Sequence, residues 1–238
     1  MKDLKRNGSN ILLCVLMSVC IIAIMKTTTM ASQKKIVANK DYSVSVGSEK
    51  TVDLIYTAKG NGYFYFNIKI HDSDGRVEVK ANYKTYGDYY ISSHEKFKSD
   101  RYCFKKGTRV KIKIHSGGSK LSIRLVEKKM NNFEKEKNDT VKNATKINRN
   151  KIYSGIAMYD ENDWWTFTAP KTGKYSLYVV CCQDDAEIEV DWYNNYCFSR
   201  GSDGWKKIDR VMLSKGEKIS VRICRVCGDY PLYKLKIR

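Results

Sequence analysis

Residues 160–168 read DENDWWTFT, so an acidic run leads directly into an aromatic segment. A PKTG turn at residues 170–173 follows, and residues 174–182 are predicted to form a second strand. Neighbouring residues of a strand point to opposite faces, so we expect one of Trp164 and Trp165 to lie in the core. The stretch therefore predicts β-structure in which acidic side chains lie beside a buried aromatic strand.

The two halves of the chain repeat one another. Residues 62–70 (GYFYFNIKI) correspond to residues 173–181 (GKYSLYVVC), and residues 77–81 (VEVKA) correspond to residues 188–192 (IEVDW). Both copies alternate apolar and polar residues with a period of two, which is typical of short strands. We interpret this as the duplication of one domain.

Such strands must bury one face against another layer, so two packed sheets are the economical arrangement. The predicted fold class is all-β, with two tandem antiparallel β-sandwich (jelly-roll-like) domains after an N-terminal signal helix. The turn SDG at residues 73–75 is expected to form a hairpin, and QDD at residues 183–185 is expected to join the corresponding strands of the second copy. The predicted boundaries are a signal peptide over residues 1–31, a diverged sandwich over 36–128, a linker over 129–137 and a second sandwich over 138–238.

The N-terminus has the pattern of a secretory signal. Basic residues precede the apolar run 11–25, and small residues lead up to Ala31, after which we expect cleavage. The run is shorter than the roughly 20 residues that a membrane span needs. An uncleaved anchor and a lipoprotein cut before Cys20 are the alternatives. We therefore predict a secreted or cell-surface protein that meets the membrane only through this signal.

The charge of the chain and its outward strand positions indicate a binding surface. The formal net charge of +18 favours anionic partners such as cell-wall polymers, acidic glycans or lipid headgroups, although we expect no nucleic acid. Aromatic and basic side chains on a solvent face can stack on sugars or hold an extended anionic or protein polymer. The alternative is a solvated, lysine-rich face that protects the sheet from aggregation. The predicted ligand-binding residues are Tyr63, Tyr65, Lys69, Arg76, Lys80, Lys111 and Lys113 in the first copy, and Tyr178 and Tyr193 in the second.

Export would also place the cysteines in an oxidising compartment, where they can pair. We predict local disulfides in the second domain and leave their connectivity open. A zinc site or a redox pair at Cys224 and Cys227 is the weaker alternative. Cys103 stands alone in the first domain and is expected to be a buried thiol. The cysteines of the second domain are Cys181, Cys182, Cys197, Cys224 and Cys227.

The second half carries a set of features in a fixed order, which are Asn138-Asp139, Ala144, Ile147, Gly155, the run 160–165 and Gly173-Lys174-Tyr175. Their order and spacing resemble the bacterial pre-peptidase C-terminal domain, a secreted β-sandwich module that includes the collagen-binding domains of clostridial collagenases. The resemblance covers roughly residues 134–238. Members of this family usually accompany a catalytic domain, and no further domain is left over in this chain.

The resemblance implies calcium as a cofactor of the second domain. Several calcium-binding members pair a Glu-x-Glu leader with an Asp-x-x-Asp loop before the aromatic strand. Calcium takes six to eight oxygen ligands, largely carboxylates and carbonyls. The alternative is a pair of solvated acidic turns. The corresponding residues 44–53 of the first copy lack the loop acids, so no ion is expected there. The residues that match the calcium pattern are Glu134, Glu136, Asn138, Asp160 and Asp163.

The sequence contains none of the common catalytic motifs, such as GxSxG, HExxH or a phosphate-binding loop. We therefore expect no enzymatic activity and predict a secreted binding or adhesion protein. Its expected ligand is an extracellular, collagen-like protein or an anionic cell-surface polysaccharide. One alternative is an accessory or chaperone-like module for a co-secreted protease. Another is a small secreted enzyme or toxin that uses Cys103 with His94 or His115.

Overall fold

The computed structural model describes residues 32–47, 50–118, 120–193 and 195–238. The predicted signal peptide and its cleavage after Ala31 lie outside these residues. Within the described chain, no helix combines the length and the apolar character that a membrane crossing requires. The described residues are almost entirely β-structure, with short 3-10 turns at Val141–Asn143 and Gly201–Asp203.

The strands follow the predicted alternation, because buried and more exposed side chains alternate along most of them. In the first half they are β1 (Ser32–Lys35), β2 (Asp41–Ser45), β3 (Thr51–Thr57), β4 (Gly62–Ile70), β5 (Gly75–Ala81), β6 (Lys84–Ile91), β7 (Lys96–Lys98), β8 (Arg109–Ser116) and β9 (Lys120–Lys129). In the second half they are β10 (Thr145–Ile147), β11 (Tyr153–Ile156), β12 (Asn162–Thr168), β13 (Gly173–Cys181), β14 (Glu187–Trp192), β15 (Asn195–Arg200), β16 (Lys206–Leu213), β17 (Lys218–Cys227) and β18 (Leu232–Ile237).

These strands form a five-stranded and a four-stranded sheet in each half of the described chain. In the first half the strand orders are β1-β3-β8-β5-β6 and β2-β9-β4-β7. In the second half they are β10-β12-β17-β14-β15 and β11-β18-β13-β16. Each strand of the first half has its equivalent nine strands later, so both halves share one topology. The chain is a tandem of two β-sandwiches, as the sequence predicts.

The connections between sheets differ from the prediction. Strands β4 and β5 belong to different sheets, and so do β13 and β14. The turns at residues 73–75 and 183–185 therefore cross between sheets, and the prediction of a hairpin at residues 73–75 is wrong. Hairpins join β5 to β6 and β14 to β15 instead. Alternation tells which face of a strand is buried, but it does not tell which strand lies beside it.

Each sandwich buries an apolar core between its two sheets. In the second sandwich, Trp165 and Trp192 are fully buried and pack in the same core. Trp164 is only partly buried. The two adjacent tryptophans thus face opposite sides of β12, as alternation predicts.

The connection between the sandwiches is packed against them. Phe133 is buried in the core of the first sandwich together with Met158 and Tyr230 from the second half. The Tyr230 hydroxyl donates a hydrogen bond to the carbonyl oxygen of Tyr86 at 2.6 Å. Gln33–Arg238 form one compact unit. The segment that the sequence predicts as a linker, residues 129–137, therefore forms part of a shared interface.

The described cysteines are all unpaired, so the predicted disulfides are not formed in this structure. Cys103 is buried, as expected for a thiol on an inward position. Cys182 and Cys227 are exposed.

Candidate metal centre

The acidic residues converge at a place where the core of the second sandwich differs from that of the first. The strand pairings give the equivalences: Asp163 on β12 pairs with Ile223, as Val52 on β3 pairs with Ile114. Both Asp163 and Val52 are buried. An inward core position that holds valine in the first sandwich therefore holds a carboxylate in the second.

Two neighbouring core positions have changed in the same way. Tyr233 on β18 takes the place of Leu121 on β9, since they pair with the equivalent residues Cys181 and Ile70. Gly155 pairs with Tyr233, as Val44 pairs with Leu121. The second sandwich has thus replaced an apolar cluster by a polar pocket at one end of its core.

Gly155 makes the pocket possible. A Cβ atom at this position would lie 2.5 Å from Glu134 Oε2 and would collide with the Tyr233 hydroxyl. Only glycine leaves enough room for both groups here, since real Cβ atoms do not approach other atoms so closely. The space that valine fills in the first sandwich is occupied by a carboxylate and a phenol in the second.

Hydrogen bonds fix the positions of these groups. The Tyr233 hydroxyl accepts a hydrogen bond from Trp165 Nε1 at 2.9 Å. It lies 2.8 Å from Asp163 Oδ2 and 3.2 Å from Glu134 Oε2, so it can donate to either carboxylate. The backbone N–H of Ile156 donates to Glu134 Oε1 at 2.8 Å. The two carboxylates therefore point to one place with defined orientations.

The carboxylates have no cationic partner, since none of the described ion pairs includes Glu134, Glu136 or Asp163. Burial is the main cause that raises the pKa of each group, and mutual repulsion adds to it. The pKa of Glu136 is raised to about 9 and that of Asp163 to about 8. The pKa of Glu134 is also raised well above its usual range. Such a group of acids needs protons or a cation to exist in a folded core.

Asn138 lies next to this group and its side chain is unsatisfied. It is fully buried, and neither its amide nitrogen nor its side-chain oxygen has a hydrogen-bond partner. Its backbone carbonyl accepts a hydrogen bond from Trp164 N at 2.9 Å, which fixes it beside Asp163. A buried amide without partners costs roughly 1–3 kcal/mol. The amide oxygen is the kind of ligand that calcium takes, so the donor set fits a hard cation.

Asp160 stands apart from the other predicted ligands. It is exposed, with a positive φ of 56° in the loop before β12. The acids whose charges raise the pKa of Glu136 are Asp163, Glu161 and Asp139. The structure thus brings Glu134, Glu136 and Asp163 together, whereas Asp160 is not among the groups whose charges raise the pKa values of these acids.

Cys103 reaches the same place from the first sandwich. Its Sγ atom, a Glu134 carboxylate oxygen and a Glu136 carboxylate oxygen lie within 4.8 Å of one another. The sequence gives no signal for this contact, because Cys103 is distant in the chain and carries no motif. Burial and the nearby carboxylates raise the pKa of the Cys103 thiol, the opposite of what activates a nucleophilic cysteine.

The predicted ligand-binding residues divide between two sheets. Tyr63, Tyr65 and Lys69 lie on β4 of the four-stranded sheet, whereas Arg76, Lys80, Lys111 and Lys113 lie on β5 and β8 of the five-stranded sheet. On the latter sheet Arg76 pairs with Asp88 at 2.5 Å, Lys80 with Glu78 at 2.9 Å and Lys111 with Asp53 at 2.7 Å. In the second half Tyr178 is partly buried on β13 and Tyr193 is exposed. The predicted set therefore does not form one surface.

Comparison with protein-family models gives no match, and comparison with curated proteins gives no significant one. Among solved structures, the pre-peptidase C-terminal domain of a collagenase from Bacillus anthracis is 15% identical, covering 40% of this chain and 94% of that chain, with a TM-score of 0.31. The PBSX exported protein XepA is 10% identical, covering 85% and 88%, with a TM-score of 0.31. The tandem CBM22 modules of Xyn10C from Paenibacillus barcinonensis are 11% identical, covering 83% and 85%, with a TM-score of 0.28. These values assign no function to the chain.

Proposed function

We propose that this chain is an exported, non-catalytic binding protein whose second sandwich is a calcium-stabilised module of the pre-peptidase C-terminal kind. The observation that carries the proposal is the meeting of buried Glu134 and Asp163 with the partly buried Glu136, none of them in a described ion pair, beside the unsatisfied amide of Asn138. A calcium ion would neutralise the carboxylates and take the Asn138 side-chain oxygen, one of its two unsatisfied atoms, as a ligand.

The ion would have a structural role and would not take part in a reaction with a substrate. Glu134 and Glu136 belong to the connecting segment, Asp163 belongs to β12, and Cys103 closes the pocket from the first sandwich. A cation bound here would tie the connection to the second sandwich and hold the interface between the two. The molecule would then present its sheet faces to a ligand as one rigid body. The ligand is an extracellular protein or an anionic polysaccharide, in keeping with the net charge of +18.

Thermal melting with calcium and with chelator tests the ion. We expect calcium to raise the melting midpoint of the wild-type chain in a concentration-dependent manner, since a ligand that binds only the folded state stabilises it. Asp163→Asn should remove most of this response. Asp160→Asn is the matched control, because Asp160 belongs to the same loop but is exposed, and it should leave the response intact. An unchanged midpoint in the wild type would rule out the site.

A direct measurement of ion binding to the wild-type chain tests the site even when a variant folds poorly. Terbium replaces calcium in oxygen-rich sites and is excited by nearby tryptophan, and Trp165 lies beside the centre. Terbium luminescence should appear on titration of the wild-type chain, and calcium should compete it away. Retention on collagen and on acidic polysaccharides at low and high salt then tests the binding function itself. A chain that is retained on neither would contradict it.

A further inference from the structure

The two kinds of sheet differ in how their bases are neutralised. Several bases on the outer faces of the five-stranded sheets form ion pairs with acids on the same strand or on a neighbouring one. These pairs are Arg76–Asp88, Lys80–Glu78 and Lys111–Asp53 in the first sandwich, and Arg200–Glu187 and Arg222–Glu189 in the second. On the four-stranded sheets, the described ion pairs include only Arg124–Asp41, in which both side chains are largely exposed. An exposed pair of this kind is weak and opens readily.

The four-stranded sheets carry bases in the same arrangement in both sandwiches, and of these bases only Arg124 belongs to a described ion pair. Asn67, the sixth residue of β4, lies between Lys98 on β7 and Arg124 on β9 in direct register. Tyr178, the sixth residue of β13, lies between Lys207 on β16 and Lys236 on β18. Neighbouring strands are about 4.8 Å apart, so the two bases of each trio are separated by about 10 Å at their backbones. The duplication has kept this base–neutral–base row in both copies, although the neutral residue differs.

Aromatic rings hold several of these bases in place. Lys98 Nζ lies 4.7 Å from the centre of the Tyr65 ring. Lys236 Nζ lies 3.8 Å from the Trp205 ring and 5.6 Å from the Tyr178 ring. Each contact fixes an ammonium group without neutralising it. Strands β13 and β18 contain no acidic residue, and β16 contains one, Asp209, which accepts a hydrogen bond from Asn195 Nδ2. None of the described ion pairs includes Lys207 or Lys236. Around the first row, Lys69, Lys96, Lys98 and Arg124 line a shallow groove of about 450 Å³, together with Asp41, the ion-pair partner of Arg124.

We propose that the four-stranded sheets bind a linear acidic polysaccharide, with one base–neutral–base row in each sandwich contacting it. This inference rests on the proposed binding function and gives it a ligand class and a location. The bases sit on the outer faces of the sheets with a neutral residue between them, an arrangement that suits an extended chain with regularly spaced anionic groups. Two rows on one molecule raise the effective concentration of the second contact once the first has formed. Because the nearby rings already hold ammonium groups, they are poor platforms for the stacked bases of single-stranded nucleic acid.

Paired substitutions test the location. Lys98→Gln with Arg124→Gln disables the first row, and Lys207→Gln with Lys236→Gln disables the second. We expect either pair to weaken binding to immobilised polygalacturonate and dextran sulfate at least tenfold, and all four together to abolish it. The control removes the same charge from exposed bases off these faces, with Lys105→Gln, Lys106→Gln, Lys215→Gln and Lys218→Gln, and should change binding less than twofold. Melting midpoints confirm that each variant folds.

Each other outcome has a defined meaning. Equal losses in the control and in the fourfold variant would show that only net charge matters, which overturns the inference. So would equally tight binding of a 20-nucleotide single-stranded DNA, or failure to bind both polysaccharides. Comparison of polygalacturonate with dextran sulfate separates carboxylate from sulfate recognition. Collagen is tested in parallel. If neither polysaccharide binds, but collagen retains the wild-type chain and the fourfold variant equally, the proposed function stands and this inference fails.

Discussion

At the scale of single residues, the second sandwich converts an apolar corner into a charged one by few changes. Asp163, Tyr233 and Gly155 occupy the positions of Val52, Leu121 and Val44. The glycine supplies the volume, the tyrosine supplies a hydrogen bond, and the aspartate supplies charge. None of these residues explains the pocket alone, because each one would be unfavourable in the environment of the first sandwich.

Gly155→Ala should destabilise the protein by about 1–3 kcal/mol, because the added methyl group overpacks the pocket against Tyr233 and Glu134. It should also weaken calcium binding, since the carboxylate must move. Gly173→Ala is the matched control, because a Cβ atom there meets nothing within 4 Å. Urea denaturation of both variants measures the difference. Equal stability of the two variants would contradict the packing of the pocket.

The pH dependence of stability follows from the raised pKa values of Glu136 and Asp163, about 9 and about 8. In the unfolded chain these groups lose their protons near pH 4. Between about pH 4 and pH 8 the folded, metal-free protein therefore binds more protons than the unfolded chain, so its stability should fall as the pH rises. Calcium should abolish this fall, because it replaces the protons.

Melting midpoints at pH 5, 7 and 8.5, with chelator and with calcium, check this expectation. Asp163→Asn serves as the comparison, since it removes one of the titrating groups and should flatten the chelator curve. A midpoint in chelator that rises from pH 5 to pH 8.5 by as much in the wild type as in the variant would show that these carboxyl groups do not titrate as described.

At the scale of strands and sheets, the alternation of side chains predicts well which face of a strand is buried, but predicts poorly which strand lies beside it. The repeat places β4 and β13 with their observed bounds, Gly62–Ile70 and Gly173–Cys181. The sequence aligns Val77 on β5 with Ile188 on β14, and this alignment is two residues out of register. Val77 pairs with Ile114, whereas the residue that pairs with the equivalent Ile223 is Val190. A shift of two residues keeps every side chain on its own face, so periodicity cannot detect it.

The pairing of strands also gives Lys111 a structural role that its sequence position does not indicate. Asp53 is buried on β3, and Lys111 on β8 pairs with it at 2.7 Å. Lys111→Met should destabilise the fold by about 1–3 kcal/mol by leaving the carboxylate unpaired, a figure reduced from that of a fully buried pair because Lys111 is partly exposed. Urea denaturation provides the measurement. Adding Asp53→Val should restore most of the loss, and a double variant as unstable as the single one would refute this role.

At the scale of the whole molecule, the sandwiches share an interface that joins their stabilities. Tyr102 of the first half meets Tyr230 of the second edge to face, with ring centres 5.6 Å apart. Cys103 and Met158 are in contact across the same interface, with the Cys103 N–H 3.5 Å from the Met158 sulfur. The acidic centre lies at this junction because Glu134 and Glu136 belong to the connection. Calcium binding would thus affect the stability of both sandwiches rather than that of one.

Tyr230→Ala should uncouple the two sandwiches. The variant loses the contact with Tyr102 and the hydrogen bond to Tyr86, and removal of so large a buried aromatic side chain costs about 3–5 kcal/mol. We expect one calorimetric transition in the wild type and two in the variant. Tyr193→Ala is the control, because Tyr193 is exposed, and it should keep the single transition. Two transitions in the wild type would show that the sandwiches unfold independently.

The sequence by itself determined the strands, their buried faces, the duplication and the presence of acids before the tryptophan pair. These properties are local, because the alternation of side chains follows from the geometry of each strand. Only the tertiary structure decided which strands share a sheet, which bases are neutralised by acids, and that Cys103 lies beside Glu134 and Glu136. These properties depend on contacts between residues far apart in the chain, and packing sets such contacts whereas local patterns do not.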